Sequence, residues 1–317
     1  METFQEPSDL MYTSYSSHVK RKLGGKAYKV VVSTGFTCPT RDGTLMKNGC
    51  AFCDVRGSSS FHAKKGRGDE VKKQIDSRFE AIKKRFNAEK LIAYFQSYTN
   101  TYTDDLGELK ELYLAAIEHP EIHALSIGTR PDCLSQPILE LIESLTKIKP
   151  VILELGVQSL ENRSLEWLAR GHTAEQSLNA IQEIKTFAPN VELSVHLMFG
   201  MPTDLPTTPQ RTAEILSRYP VDGVKLHQLM VLENTGLAER YKRQPFGLVT
   251  LDEYTDIIRR FITHLSPSIY IERLYATATH PEECIGPDWS TERWKTHNTL
   301  RKGIRSLSDD HTPVSWA

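Results

Sequence analysis

The 317-residue sequence predicts an α/β protein, a partial TIM-like (β/α)6 barrel with a C-terminal α/β extension, on three observations. Short β-branched runs alternate about six times with longer stretches of helical period, the pattern of a parallel sheet with helical crossovers. The residues after each run are unusually polar, as they are where ligands meet the C-terminal ends of strands. The loop after the first run holds three cysteines, Cys38, Cys50 and Cys53.

Taken in order, the apolar runs predict strands at 28–33, 91–96, 124–128, 151–156, 191–198 and 224–229. Between them, helical spacing predicts helices at 69–87, 106–119, 136–147, 174–187 and 208–217. A closed eight-unit barrel needs two more strand-helix units, so a partial barrel of six fits better. A helix near 251–265, a strand near 269–274 and a helix near 289–304 read as an extension packed on that barrel. The implied organisation is a basic N-terminal segment at 1–26, a barrel at 27–235 and the extension at 236–317. Strand alternation puts Lys225 and His227 on one face, and Glu154 on the same face as Gly156.

Composition narrows the function classes. With 39% hydrophobic and 25% charged residues the chain reads as globular, and no apolar run approaches the length needed to span a bilayer. The polar N-terminus lacks the apolar stretch of a secretory signal, and five cysteines, three of them clustered, argue for free thiols in a reducing compartment. The expected location is cytoplasmic, with no membrane partner. The formal net charge of −1 hides an asymmetry, because residues 1–90 carry 18 Lys and Arg against 10 Asp and Glu. Basic groups cluster at Lys20-Arg21-Lys22 with Lys26 and Lys29, at Lys64-Lys65 with Arg67, at Lys72-Lys73 and at Lys83-Lys84-Arg85. Each cluster alone is compatible with a solvated helix face; four together with the cysteine loop point to a polyanionic substrate.

The cysteine loop carries the sharpest chemical signal. Eleven residues separate Cys38 from Cys50 and two separate Cys50 from Cys53, in a polar stretch punctuated by glycine. A structural zinc site or a simple electron-carrier cluster is closed by four protein ligands, whereas three thiolates leave one coordination position open for chemistry. The alternative is zinc with His62 as the fourth ligand, but the eleven-residue gap is not that of a zinc module. Cys133 and Cys284 stand alone and read as ordinary buried thiols.

Six ordered motifs extend this signal along nearly the whole chain. They are Cys-Pro-x-Arg-Asp-Gly-Thr at 38–44, Ala-Tyr-Phe-Gln at 93–96, Thr-Arg-Pro-Asp-Cys at 129–133, Glu-Leu-Gly-Val-Gln at 154–158, Arg-Gly-His at 170–172 and Lys-Leu-His at 225–227. With the cysteine spacing they resemble the radical S-adenosylmethionine superfamily. The branch is the one related to the Elongator catalytic subunit and to oxygen-independent coproporphyrinogen dehydrogenase, and within it the YhcC/YtqA family. Thr40 stands where that family usually has Asn.

The resemblance implies a barrel of the radical S-adenosylmethionine type and a 4Fe-4S cluster on Cys38, Cys50 and Cys53, with S-adenosylmethionine on the fourth iron. It further implies that Glu154, assisted by Gln158, accepts from the ribose hydroxyls, and that Gln96 and Ser97 meet the methionine amino group. Arg170 would hold the methionine carboxylate with His172 beside it, although Ala169 precedes Arg170 where relatives have glycine. Phe52 would pack on the adenine or shield the cluster. Plainer readings stand beside these, a barrel lysine pairing with Glu154 and Arg170 serving as a helix C-terminal cation. His196, Lys225 and His227, at converging strand tips, are candidates for substrate contact or proton transfer.

The implied substrate is transfer RNA, contacted through the basic first 90 residues near the anticodon, with conversion of 5-carboxymethylaminomethyl(-2-thio)uridine to its 5-aminomethyl form at the wobble position. An electron donor such as flavodoxin or ferredoxin is implied too. Two other activities remain open: a radical reaction on a small, porphyrin-type metabolite, which needs no basic surface, and an Elongator-like carboxymethylation. The second relies in relatives on an acetyltransferase domain, for which 317 residues leave no room after the barrel.

Overall fold

The computed structural model describes residues 12–54 and 68–305. His62 and the cluster Lys64, Lys65 and Arg67 lie outside the described residues. Six strands form β1 (Ala27–Val32), β2 (Lys90–Phe95), β3 (Ile122–Thr129), β4 (Val151–Gln158), β5 (Glu192–Phe199) and β6 (Gly223–Gln228). A short β7 (Val231–Leu232) pairs with β9 (Cys284–Gly286) in a separate ribbon, and β8 (Tyr270–Arg273) lies between them in the chain. The helices are α1 (Tyr15–Leu23), α2 (Gly68–Asp76), α3 (Phe79–Phe86), α4 (Leu106–Ile117), α5 (Gln136–Leu145), α6 (Asn162–Trp167), α7 (Ala174–Phe187), α8 (Thr208–Leu216), α9 (Gly236–Arg243), α10 (Leu251–His264) and α11 (Arg293–Arg305).

The main sheet runs β1-β2-β3-β4-β5-β6-β8, all parallel, and curls into a partial barrel. Its seventh strand comes from the segment read as an extension, so the sheet has one strand more than the six-unit count. The expected helix at 69–87 is two helices, because Arg78 leaves helical geometry and its guanidinium donates to the Val31 carbonyl at 2.7 Å. Gln74 exchanges two further bonds with Ser33, both 2.9 Å, so α2 and its following turn cover the otherwise unpaired edge of β1.

Local sequence explains most helix starts. Ser14, Asp105 and Thr235 accept from backbone amides at the starts of α1, α4 and α9. Thr173 with Gln176, and Thr250 with Glu253, form capping boxes at α7 and α10. Each cap contributes about 1 kcal/mol. Outward-facing strand residues such as Val30, Leu125, Leu153 and Val195 pack against the helices in one continuous core.

Inside the barrel the pattern is reversed. Every strand of the main sheet contributes a polar side chain near one level: Lys29, Tyr94, Ser126, Glu154, His196, Lys225 and Glu272. Their mutual bonding is what lets charge sit in a barrel interior. Above this layer, Ala51, Leu168, Met201, Leu229 and Leu237 form a small second core that seats the cysteine loop against α6 and α9.

The parallel topology also sorts the basic clusters. Lys20 and Arg21 on α1 and Lys84 and Arg85 on α3 are exposed, but Lys22 pairs with Glu192 at the start of β5 and Lys83 with Glu121 just before β3. Both clusters therefore lie at the N-terminal ends of the strands, opposite the cysteine loop. Lys29 points into the barrel and pairs with Glu154 and Glu272. Of the basic residues grouped in the first 90, those on α1 and α3 lie at the far end of the barrel and Lys29 lies inside it. No helix among the described residues is long and apolar enough to cross a membrane.

Candidate active site

The cysteine loop is folded by its own backbone. Arg41 and Asp42 amides donate to the Cys38 carbonyl at 2.8 and 3.2 Å, the Gly49 amide to Thr40 at 2.7 Å, and the Cys53 amide to Cys50 at 2.9 Å. Gly49 has φ 76°, and a Cβ there would meet the Arg41 guanidinium at 3.1 Å, so both backbone and space require glycine. The Ala51 amide and carbonyl bond Leu168 and Leu237, each at 2.8 Å, which ties the loop to the ends of β4 and β6 through α6 and α9.

Cys38 and Cys50 converge on one hydroxyl, with Thr40 Oγ1 at 3.2 Å from the first sulfur and 3.8 Å from the second. Thr99 Oγ1 also lies 3.3 Å from the Cys38 sulfur. Burial pushes the Cys50 thiol up, but the Arg170 and Arg130 guanidiniums outweigh it and hold the thiol below its ordinary range. Burial pushes Cys53 up to about 11, with Arg41 working against it.

The three thiols border a cavity of about 300 Å³ at the C-terminal ends of the strands. Eleven of the thirteen expected site residues line it: Cys38, Cys50, Phe52, Cys53, Gln96, Glu154, Gln158, Arg170, His196, Lys225 and His227. Ser97 and His172 stand behind the wall. Both are buried, and Ser97 Oγ and His172 Nε2 have no hydrogen-bond partner, as is true of Arg170 Nε. Burial, with Arg170 and Arg130 nearby, lowers His172 to about 3, so its ring is neutral. Phe52 also packs on the small core beside the loop.

Glu154 is the hub of the interior layer. Its Oε1 accepts from Lys29 and from Ser126 at 2.6 Å, and its Oε2 from Tyr94 at 2.8 Å, His196 at 2.6 Å and Lys225 at 2.8 Å. Burial opposes the charge, yet Lys225 and Lys29 keep the carboxyl well below its usual range. Five donors fill the acceptor sites of a carboxylate, which leaves none for a ribose diol. Of the two readings of Glu154, the pairing with barrel lysines is the one this geometry displays. Gln158, at φ 70° on the end of β4, faces the cavity and shares its Oε1 with His227 at 3.3 Å.

Arg170 is held by two acceptors, with Nη2 donating to the Gly156 carbonyl at 2.6 Å and Nη1 3.4 Å from the Cys50 sulfur. A Cβ on Gly156 would come 2.7 Å from that Nη2, so glycine makes the space the guanidinium uses. Ala169 sits at φ 51°, a left-handed turn in which glycine costs nothing and alanine about 1 kcal/mol. Burial lowers His196, and Lys225 adds to it, while burial together with Arg273 lowers His227 to about 3.

Three arginines on the cavity wall, Arg41, Arg130 and Arg273, are not among the site residues expected from sequence. Arg130 is fully buried, forks onto Asp132 at 2.8 and 2.8 Å, and places Nη1 3.6 Å from the Cys50 sulfur. It lies in the Thr-Arg-Pro-Asp-Cys motif, and the rule that the residues after each strand carry function pointed at it. Arg273 ends β8, a strand that was not counted in the barrel, so the same rule was not applied there.

A thiolate-bound group with one open position fits these residues. Three sulfurs border one pocket, no fourth cysteine lines it among the described residues, and the orphaned Arg170 Nε points to a partner beyond the protein. His280, Glu282 and Glu283 bring three further possible ligand atoms together, and His280 and Glu283 line the same cavity.

Comparison with known proteins bears on this geometry. Residues 47–216 match the Radical SAM superfamily and residues 221–306 the Radical_SAM C-terminal domain. YtqA of Bacillus subtilis is 26% identical over 93% of this chain and 90% of its own length. YhcC of Escherichia coli is 30% identical over 88% of each chain. A tRNA uridine(34) acetyltransferase of Methanocaldococcus jannaschii is 35% identical over 43% of this chain and 25% of its own. Among solved structures, the Elp3 of Methanocaldococcus infernus matches with a TM-score of 0.61 at 21% identity, covering 88% of this chain and 63% of that one. With the three-cysteine loop at the mouth of a partial parallel barrel, the chain belongs to the radical S-adenosylmethionine superfamily and, within it, to the family of YhcC and YtqA.

Proposed function

We propose that this radical enzyme acts on the wobble uridine of transfer RNA, converting 5-carboxymethylaminomethyl(-2-thio)uridine to 5-aminomethyl(-2-thio)uridine. The observation that carries the reading is the cysteine-lined cavity at the strand tips, in a chain that shares 35% identity over 138 residues with a tRNA uridine(34) acetyltransferase. A single base extruded from the anticodon loop is a substrate that such a cavity can take.

Cys38, Cys50 and Cys53 would hold the 4Fe-4S cluster, and the group supplies the deoxyadenosyl radical chemistry when S-adenosylmethionine and an electron from flavodoxin or ferredoxin are present. Arg170 would bind the methionine carboxylate through its unpartnered Nε side, with neutral His172 behind it and Gln96 and Ser97 near the amino group. Gln158 would bind the ribose, the role in which it was expected to assist Glu154. Glu154 holds Lys225 and His196 in place at the cavity floor, and these with His227 would contact the substrate or move protons on it. Phe52 would shield the cluster side from water.

Phosphate contacts near the target base fall to cations around the mouth, since the clusters on α1 and α3 lie at the other end. Lys242 and Arg243 on α9, the helix that seats the cysteine loop, would supply such contacts. The deciding experiment is mass spectrometry of wobble nucleosides in tRNA from a strain lacking the gene, followed by anaerobic turnover of that tRNA with reconstituted protein. Accumulation of the carboxymethylaminomethyl nucleoside and its consumption in vitro are expected; an unchanged nucleoside profile would falsify the assignment. Release of methionine and deoxyadenosine without any RNA dependence would favour a small-molecule substrate.

A further inference from the structure

Among the described residues, five arginine and lysine side chains line the cavity. Four already bond groups of the protein, Arg170 keeping only its Nε unpartnered. Arg41 donates to the Cys53 carbonyl at 3.1 Å and to Asp54, and Arg130 forks onto Asp132. Arg170 bonds the Gly156 carbonyl and Cys50, and Lys225 pairs with Glu154 and Glu272 at 2.8 and 2.9 Å.

Arg273 differs from all of them. Its Nε donates to the Leu226 carbonyl at 3.3 Å, which orients the guanidinium plane, and no carboxylate of the described residues pairs with it. This cation therefore borders the cavity with no ion-pair partner among the described residues. The neighbouring His227 adds no charge, because burial and Arg273 itself hold it neutral. After Arg273 the chain turns along the cavity and brings Thr277 and Thr279 to the same wall. A charged fork beside hydroxyl donors is a site for a planar anion, which a carboxylate matches with two parallel bonds.

We propose that Arg273 anchors a carboxylate on the substrate. This rests on the wobble-uridine reading, under which that carboxylate ends the 5-side chain of the nucleoside. Arg273 then decides specificity: it admits the side chain that carries the acid. Recognition of an acid by a buried polar partner discriminates strongly against an analogue that lacks it.

The experiment measures binding of reconstituted full-length protein to an anticodon stem-loop carrying 5-carboxymethylaminomethyluridine, and to the same RNA with that side chain as its methyl ester. Wild type is expected to prefer the acid by about 10- to 100-fold. Arg273→Met should erase that preference by weakening the acid alone, with S-adenosylmethionine affinity and melting temperature unchanged. Arg273→Lys, which keeps the charge without the fork and guards against a folding defect, should fall between.

An Arg273→Met protein that keeps the preference overturns the anchor and leaves the wobble reading standing. Equal weakening of acid and ester overturns it in favour of a backbone phosphate. Lost S-adenosylmethionine binding at an unchanged melting temperature overturns it in favour of the cofactor carboxylate. A wild-type protein that binds both RNAs alike overturns the nucleoside assignment, and the anchor with it.

Discussion

Arg130 meets Cys50 from the far side of the thiol pocket: its Nη1 lies 3.6 Å from the sulfur, while its Nη2 donates to the Arg170 carbonyl at 2.7 Å. One buried guanidinium therefore links a cysteine of the loop to the strand of chain that carries Arg170. Arg130→Met should cost about 3–5 kcal/mol, chiefly because Asp132 loses its forked partner. Adding Asp132→Leu should recover part of the lost melting temperature. In both variants the reduction potential of the bound cluster should move negative, because a cationic donor to a ligand sulfur is gone. An unchanged midpoint in an EPR-monitored titration would show that the contact has no electronic effect.

The cysteines separate into two classes. Alanine at Cys38, Cys50 or Cys53 should abolish the visible absorbance of the reconstituted cluster. Alanine at Cys133 or Cys284 should leave it, since neither side chain lines the cavity that the three loop thiols border. Iron and sulfide analysis of the five variants checks the division; cluster loss in the Cys133 variant would contradict it.

Glu154 neutralises two lysines at once. Glu154→Gln leaves Lys29 and Lys225 to share Glu272, and the expected cost is about 3–5 kcal/mol in chemical denaturation. Glu154→Gln with Lys225→Met should be more stable than Glu154→Gln alone, because the second change removes a stranded charge. If the double variant is no more stable, the coupling between these two groups is not what holds the layer together.

Glu192 links α1 to the sheet, accepting from His18 at 3.2 Å, Lys22 and Tyr270 at 2.7 Å. Burial alone would raise its carboxyl, but His18, Lys22 and Tyr270 lower it to about 2. A carboxyl depressed in the folded state stabilises the protein above its unfolded value, near 4.5, and that contribution is lost as pH falls toward 2. Glu192→Gln should therefore cost on the order of 2 kcal/mol at neutral pH. The gap to wild type should close between about pH 4.5 and 2, read from urea melts across that range. A gap that does not narrow on acidification would rule out this ion cluster as its source.

Much of this protein is legible in its sequence because it is set by local pattern. β-branched runs between helical periods specify the parallel sheet, and α7 at Ala174–Phe187 falls where its helical spacing predicts. The spacing of Cys38, Cys50 and Cys53 likewise names the chemistry, because one loop carries all three thiols. What tertiary structure decided is everything that depends on residues far apart meeting across the barrel. Lys29 counts as a surface charge until β1 is placed opposite Glu154 and Glu272; Glu154 counts as a free acceptor until five donors from five strands reach it. Arg273 is an ordinary residue of an extension until β8 pairs with β6 and turns it into a strand tip. Sequence pattern reports what a residue does within its own element, while the charge state and partners of a buried group are set by the other elements around it.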